Sequence, residues 1–279
     1  MYTQQPGPYA VIGNPIAHSR SPAIHQAFAK QTSQYITYDR ILSQPDQFSN
    51  TVRGFIAAGG KGLNVTVPFK QQAYDLADTL SAQAQAAGAV NTLVVRQDNT
   101  LHGENTDGIG LVRDLQHNHD IHLTGSRILI LGAGGATRGI LHPILACQPA
   151  QLIIANRSPD KARALADSVS AAFVSGCSFD QIPAEPFDLI LHATAAGLSG
   201  QVPAIPAATV ATHTYAYDLL YSNQPTPFLR WTAQQGAAQT IDGLGMLVEQ
   251  AAAAFYLWRG IQPDTAPVLA HLSAEKSTS

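Results

Sequence analysis

Cysteine is scarce in this chain of 279 residues: there are two, Cys147 and Cys177, in no C-x-x-C spacing. Two cysteines so placed cannot staple a chain of this size, and we read both as reduced and structural. Charge is scarce too. Charged residues supply 13% of the chain, against roughly a quarter in ordinary domains, while 45% is hydrophobic, which excludes disorder driven by charge. The formal net charge of −3 creates no positive field to attract nucleic acid or anionic lipid. Long apolar runs are missing. The longest, Ala251–Trp258, falls far short of the ~20 residues that span a bilayer, so it reads as buried helix rather than a membrane segment. Met1–Pro8 has no basic stretch followed by an apolar one, so no secretory signal is expected and the protein is expected in the cytoplasm. Glycine and proline follow no period, which argues against collagen, solenoid and propeller.

What is present is an α/β pattern in two parts. In the first, strands are expected at 9–13, 35–41 and 62–67, helices at 22–30, 46–58 and 71–87, and a hairpin at 92–96 and 100–103 about the turn Gln97–Asn99. Near residue 107 the order resets. A helix at 108–117 leads to the apolar strand Arg127–Leu131, a glycine turn, a helix at 136–145 and the strand Gln151–Ala155, a βαβ unit.

The glycine turn is Gly132-Ala-Gly-Gly-Ala-Thr-Arg138. In a dinucleotide fingerprint the first glycine makes the tight turn, the second lets a pyrophosphate approach the backbone, and the helix N-terminus supplies free N–H groups. Gly132 and Gly134 fill those places, whereas Thr137 occupies the third small-residue slot and is expected to widen the helix–strand contact. An acid at the end of the second strand would accept from a ribose 2′-OH and repel a 2′-phosphate. This chain has Asn156-Arg157-Ser158 there and Lys161 one turn on, a phosphate-gripping set that favours NADP over NAD.

The first part holds a polar constellation. Strand alternation over Leu63–Pro68 puts Leu63, Val65 and Val67 on one face and Asn64 and Thr66 on the other, where they are expected to line a pocket wall near Lys70. Ser21 before Pro22 reads as a helix N-cap, which leaves the Ser19 hydroxyl free; alternatively both hydroxyls meet a carboxylate, which a helix N-terminus favours.

Taken together, Gly13–Pro22, Gly59–Lys70, Gly88–Thr92, Gly103–Gly108, Gly132–Arg138, Asn156–Ser158 and Asp242–Gln250 resemble shikimate dehydrogenase, in order and over nearly the whole chain. The resemblance implies the NADP-dependent biosynthetic branch, which reduces 3-dehydroshikimate reversibly to shikimate with NADPH in the shikimate pathway of aromatic amino acid (chorismate) biosynthesis. It implies Ser19 and Ser21 as carboxylate anchors, and Thr66, Asn91, Asp107 and Gln250 as ligands of the ring hydroxyls, with a further contact from Tyr221. Lys70 and Asp107 are the implied catalytic pair. For NADP(H) it implies Gly132, Ala133, Gly134, Gly135 and Ala136 at the pyrophosphate, Asn156, Arg157, Ser158 and Lys161 at the adenosine phosphate, and Leu219 and Gly243 at the nicotinamide end.

The expected architecture is an α/β substrate domain of residues 1–106 and 242–279 and a Rossmann-type domain of residues 107–241, with the active site in the cleft between them. The expected partner is a small molecule, with neither nucleic acid nor membrane, and the protein is expected to be a monomer or a homodimer. One departure stands out: His192-Ala-Thr-Ala-Ala-Gly197 has a histidine where the family usually has asparagine, a change expected to bear on cofactor affinity. The cluster His117–His122 reads as a solvated loop rather than a metal site. Two rivals are weaker. A quinate/shikimate dehydrogenase that also uses NAD wants an acid near Asn156, and a non-catalytic NADP-binding sensor has no need of both Lys70 and Asp107.

Overall fold

A computed structural model describes residues 7–194, Val202 and residues 204–277. Met1–Pro6, and Ala195–Gly197 of the segment that follows His192, lie outside the described residues. The chain forms two compact units: one runs to Leu111 and resumes over Leu247–Leu272, and the other is Val112–Met246 with the tail from Ser273.

The first unit is built on a six-stranded sheet of order β2-β1-β3-β5-β6-β4. Its strands are β1 (Gly7–Gly13), β2 (Ile36–Leu42), β3 (Gly62–Val65), β4 (Thr79–Leu80), β5 (Thr92–Val95) and β6 (Leu101–Glu104). β1 runs parallel to β2 and β3, whereas β5 pairs antiparallel with both β3 and β6, as a hairpin requires. Helices α1 (Ser21–Gln31), α2 (Phe48–Ala57), α3 (Lys70–Leu76) and α4 (Ala82–Ala87) connect the strands. The helix expected over 71–87 is two helices. Between them Thr79–Leu80 pairs with His102–Gly103, and Ser81 caps α4 by accepting from Ala84 N–H at 3.0 Å. Val67, expected on the face of Leu63 and Val65, does not share their burial: it is 63% exposed, because β3 ends at Val65 and the alternation ends with it.

Two cores follow from the strand faces. Ile12, Leu63, Val65, Phe48 and Phe69 pack in one, and Tyr9, Val11, Tyr38 and Trp258 in the other. Trp258 comes from α9 (Leu244–Arg259); its indole N–H donates to Leu93 O at 3.0 Å over Gly62, which has no room for a Cβ.

The second unit carries β7 (Arg127–Leu131), β8 (Gln151–Ala155), β9 (Val174–Cys177), β10 (Leu189–His192), β11 (Tyr215–Asp218) and β12 (Gln239–Asp242). Every pairing is parallel, and the order β9-β8-β7-β10-β11-β12 is the doubly wound 3-2-1-4-5-6 arrangement. Strands β7, β8 and β10 are apolar apart from one end residue each, Arg127, Gln151 and His192, as burial on both faces demands, with Leu129, Leu131, Ile153 and Ile190 in the core. Helices α6 (Gly135–Ala146), α7 (Pro159–Ser168) and α8 (Pro227–Gln234) return the chain between strands. The helix expected over 108–117 is α5 (Asp107–Arg113) followed by a π turn, Asp114–Asn118. The last helix is α10 (Ala266–Ser277). Among the described residues no helix is long and apolar enough to cross a membrane.

Candidate active site

In the first unit a short turn after β3, closed by Phe69 N–H donating to Thr66 O at 3.0 Å, delivers Lys70 as the first residue of α3. Asp107 opens α5 three residues after β6 ends. These two element starts meet: Lys70 Nζ donates to Asp107 Oδ2 at 2.6 Å, with the side chains 27% and 10% exposed. This is a charge-assisted hydrogen bond within reach of solvent. Asp107 Oδ1 accepts from Asn91 Nδ2 at 2.8 Å. The same amide donates to Thr106 Oγ1 at 3.0 Å and lies 3.5 Å from Gln250 Oε1. Gln250, on α9, donates through Nε2 to Leu247 O at 2.9 Å. Lys70, Asn91, Asp107 and Gln250 therefore form one cluster.

Behind it runs a buried relay in which every donor points the same way. Tyr38 O–H donates to Asn64 Oδ1 at 2.6 Å, Asn64 Nδ2 to Thr92 Oγ1 at 3.1 Å, and Thr92 O–H to Asn91 Oδ1 at 2.9 Å. Thr106 N–H also donates to Asn91 Oδ1, at 2.9 Å, so the amide of Asn91 has one orientation and turns its NH₂ to Asp107. Asn64 is thus no pocket wall. It is 5% exposed, because Tyr38, His25 and Thr92 close over its side chain and bond it. His25 joins the relay at Asn64 Oδ1, 3.1 Å from its Nε2, and its ring stacks on Tyr38 at 4.2 Å. Burial holds the His25 pKa down at about 3, only partly offset by the Asn64 bond.

Asn105 and Thr106 escaped the sequence reading. Asn105 accepts from Asp107 N–H at 3.1 Å and donates to Ala89 O at 3.0 Å, which fixes the start of α5 against the segment that bears Asn91. The available signal was their place in the Gly103–Gly108 string.

At the start of α1 the N-cap position is Arg20 rather than Ser21, and Ser19 Oγ accepts from Ser21 N–H at 3.3 Å. Ser19 is half-buried and Ser21 buried. Arg40, also unassigned from sequence, donates to Ser19 O through Nε at 3.0 Å and Nη2 at 2.6 Å, so a guanidinium braces the serine-bearing turn. Thr66 is half-buried, its methyl packed over Gly13, which leaves no room there for a Cβ.

In the second unit the glycine turn leaves β7 at Gly132, whose φ of +115° suits glycine and whose Cβ would lie 2.8 Å from Ala193 O. Gly134 is the N-cap of α6 and makes no side-chain cap bond; a Cβ on Gly134 or Gly135 would meet nothing within 4 Å. The helix N-terminus thus faces open space among the described residues and has no side-chain cap, a cradle that fits a pyrophosphate. Ala133 lies half-buried in the turn and Ala136 is exposed in the first turn of α6. Thr137 does not widen the contact: fully buried, it donates through Oγ1 to Gly132 O at 2.8 Å and ties the turn to its helix. After β8, Arg157, Ser158 and Lys161 are exposed, and Asn156 Nδ2 donates to Ser158 O at 3.0 Å. These residues fit a 2′-phosphate. Gly243 N–H donates to Leu220 O at 3.1 Å, and the Leu219 carbonyl leaves Gly243 no room for a Cβ. Tyr221 belongs to this unit, 36% exposed, and not to the unit that holds Lys70. In the cluster His117–His122, His119 Nε2 lies 3.7 Å from Asp114 Oδ1.

A doubly wound sheet with a nucleotide cradle, in one chain with a lysine–carboxylate cluster on an α/β unit, defines a dinucleotide-dependent oxidoreductase. The pattern described as shikimate dehydrogenase substrate binding domain matches residues 11–93, that of shikimate/quinate 5-dehydrogenase matches residues 114–201, and that of the shikimate 5′-dehydrogenase C-terminal domain matches residues 243–272. A shikimate dehydrogenase (NADP(+)) of Dechloromonas aromatica is 55% identical over 268 residues, 96% of this chain and 97% of that one. Among solved structures, an Ael1 enzyme from Pseudomonas putida is 44% identical with a TM-score of 0.92, covering 96% of this chain and 98% of that one. The Thermus thermophilus shikimate 5-dehydrogenase crystallised with NADP(H) and shikimate is 30% identical with a TM-score of 0.84, covering 96% and 99%. The chain belongs to the shikimate dehydrogenase family.

Proposed function

We propose that this protein is an NADP-dependent shikimate dehydrogenase of the shikimate pathway, reducing 3-dehydroshikimate reversibly to shikimate. The observation that carries the reading is the 2.6 Å bond between Lys70 Nζ and Asp107 Oδ2, beside Asn91 and Gln250. The first unit binds the substrate and the second binds NADP(H).

When bound, NADPH supplies a hydride to the carbonyl carbon of the substrate. As the C=O bond opens, its oxygen gains negative charge, and the Lys70 ammonium gives that oxygen a proton, so that ketone, hydride and proton become the secondary alcohol. Asp107 aims Lys70 through Oδ2, while Asn91 holds Oδ1 and fixes the carboxylate. In the reverse direction neutral Lys70 takes the hydroxyl proton back. Ser19 and Ser21 bind the substrate carboxylate, while Thr66, Asn91, Asp107 and Gln250 bind ring hydroxyls, with a further contact from Tyr221. Gly132–Ala136 cradle the pyrophosphate, Asn156–Lys161 the 2′-phosphate, and Leu219 and Gly243 the nicotinamide end. We assign the enzyme to the cytoplasm, in keeping with the free thiols of Cys147 and Cys177, and to a monomeric or homodimeric state.

The test is the loss of NADPH absorbance when 3-dehydroshikimate is added, run beside NADH and beside Lys70→Ala. Fast loss with NADPH, little with NADH, and a turnover about 10²–10⁴-fold lower in the variant is the expected outcome. Loss of NADPH at the same rate in Lys70→Ala would remove the proton donor from the reading, and no loss in the wild type would remove the substrate.

A further inference from the structure

His192 closes β10 between the ends of two neighbouring strands, in register with Leu131 of β7 and with Asp218 of β11. Its side chain is 1% exposed and that of Asp218 0%, so the two form a buried imidazole–carboxylate pair for which the proposed chemistry has no use. Each end of the imidazole reaches a different stretch of chain. Nε2 lies 2.7 Å from Thr194 Oγ1, and where a Cβ on Gly132 would be, Ala193 O lies at 2.8 Å and the Thr194 methyl at 3.1 Å, so Thr194 together with the Ala193 carbonyl forms the wall against which the glycine turn rests. Nδ1 lies 3.1 Å from Asp218 Oδ2 but forms no well-directed hydrogen bond, and it has no other partner among the described residues. Asp218 is already held. Its Oδ2 accepts from Thr226 O–H at 2.6 Å and its Oδ1 from Leu220 N–H at 3.1 Å. Leu220 O in turn accepts from Gly243 N–H at 3.1 Å, so the carboxylate anchors the Leu219–Gly243 stretch on its own. The ring stacks on Phe228 at 4.8 Å and cannot swing away.

The two contacts are therefore unequal. The Nδ1 side faces a carboxylate whose oxygens have other donors, whereas the Nε2 side supplies the side-chain bond seen for Thr194. We propose that His192 is a positioning residue for the dinucleotide: through Nε2 it fixes the Thr194 hydroxyl, and Thr194 sets the glycine turn at the height a pyrophosphate needs. This rests on the reading of the second unit as the NADP(H) site. The hydroxyl of Thr194 is the group whose place depends on the imidazole, and neither residue touches the reacting atoms.

The two nitrogens can be separated, because a glutamine amide reaches the place of Nε2 and an asparagine amide only that of Nδ1. NADPH binding to the whole protein is measured by calorimetric titration for wild type, His192→Gln, His192→Asn and His192→Phe, the last keeping the stack on Phe228. Each is also assayed for KM and kcat. The expected result is a Kd for NADPH raised about tenfold in His192→Phe and His192→Asn and within about threefold of wild type in His192→Gln, with kcat and the KM for 3-dehydroshikimate within twofold throughout. Thr194→Val should match His192→Phe, and combining the two should add nothing further. Equal Kd in wild type and His192→Phe would overturn the proposal. So would rescue by asparagine rather than glutamine, or a fall in kcat and melting temperature together without a change in Kd. A wild type that binds no NADPH would instead refute the cofactor reading on which the proposal rests.

Discussion

His25 ties the stability of the first unit to pH, and the size of the effect follows from its surroundings. The ring is fully buried among Tyr38, Phe28, Phe255 and Trp258, its Nε2 is committed to Asn64, and its pKa is held at about 3. In the unfolded chain the same group titrates near 6.5. The folded value lies below the unfolded one, so the unfolded state binds more protons between the two. The stabilising contribution is complete above pH ~6.5 and is lost as pH falls toward 3. Integrating that linkage from pH 7 to pH 5 gives a loss of about 2 kcal/mol from this residue alone. The two tryptophans, Trp231 and Trp258, lie one in each unit, so in a Trp231→Phe background fluorescence reports the first unit. Urea unfolding at pH 7 and pH 5 should show that unit losing ~2 kcal/mol more than it does in a His25→Phe version of the same protein, where other histidines still titrate. An equal pH slope in both proteins would refute the argument that a neutral, buried imidazole is responsible.

Three further outcomes follow from the second unit. Arg157→Ala, on the proposed reading of Arg157 as a 2′-phosphate ligand, should raise KM for NADPH roughly 10- to 100-fold while leaving KM for NADH unchanged, a difference that steady-state kinetics with both cofactors resolves. Gly134→Val puts a side chain into the open space over α6 at an extended backbone position; calorimetry should show NADPH binding weakened at least ~10-fold with the melting temperature unmoved. Tyr217→Phe deletes the 2.6 Å donation to buried Asp114 Oδ2 and should destabilise the second unit by ~1–3 kcal/mol in urea, read from Trp231 in a Trp258→Phe background.

The parts of the fold legible in the sequence are those where burial alone dictates the pattern. Arg127–Leu131 and Gln151–Ala155 were readable to the residue because a strand covered on both faces is a continuous apolar run, and the hairpin at β5 and β6 because Gln97–Asn99 marks its turn. The 71–87 segment was not, since what breaks it is the pairing of Thr79–Leu80 with β6, a contact made 23 residues away. Asn64 misled for the same reason: alternation shows that it leaves the Leu63 face but not that Tyr38, His25 and Thr92 wait on the other side. At the site, Lys70 was legible as a cation near the Asn64–Thr66 strand, while Asp107 and its pairing with Lys70 were legible only through the family resemblance; that both open helices shows only in the structure. Asn105, Thr106 and Arg40 did not, because their work is to hold other residues, and that shows only in hydrogen-bond partners.

The first unit is assembled from both ends of the chain, so during synthesis it cannot be complete until after the second unit's sheet has been made. Its cores need Trp258 over Gly62, and Ala254 beside Tyr9 and Tyr38. While the ribosome is still translating the second unit, the earlier strands have left it with the groove at Gly62 unfilled and Leu93 O without its indole donor. The Val112–Met246 stretch, whose sheet uses only its own strands, can close before those partners exist. The nucleotide-binding half can therefore close its sheet first, and the lysine–carboxylate cluster, which takes Gln250 from α9, is complete only when that helix is in place.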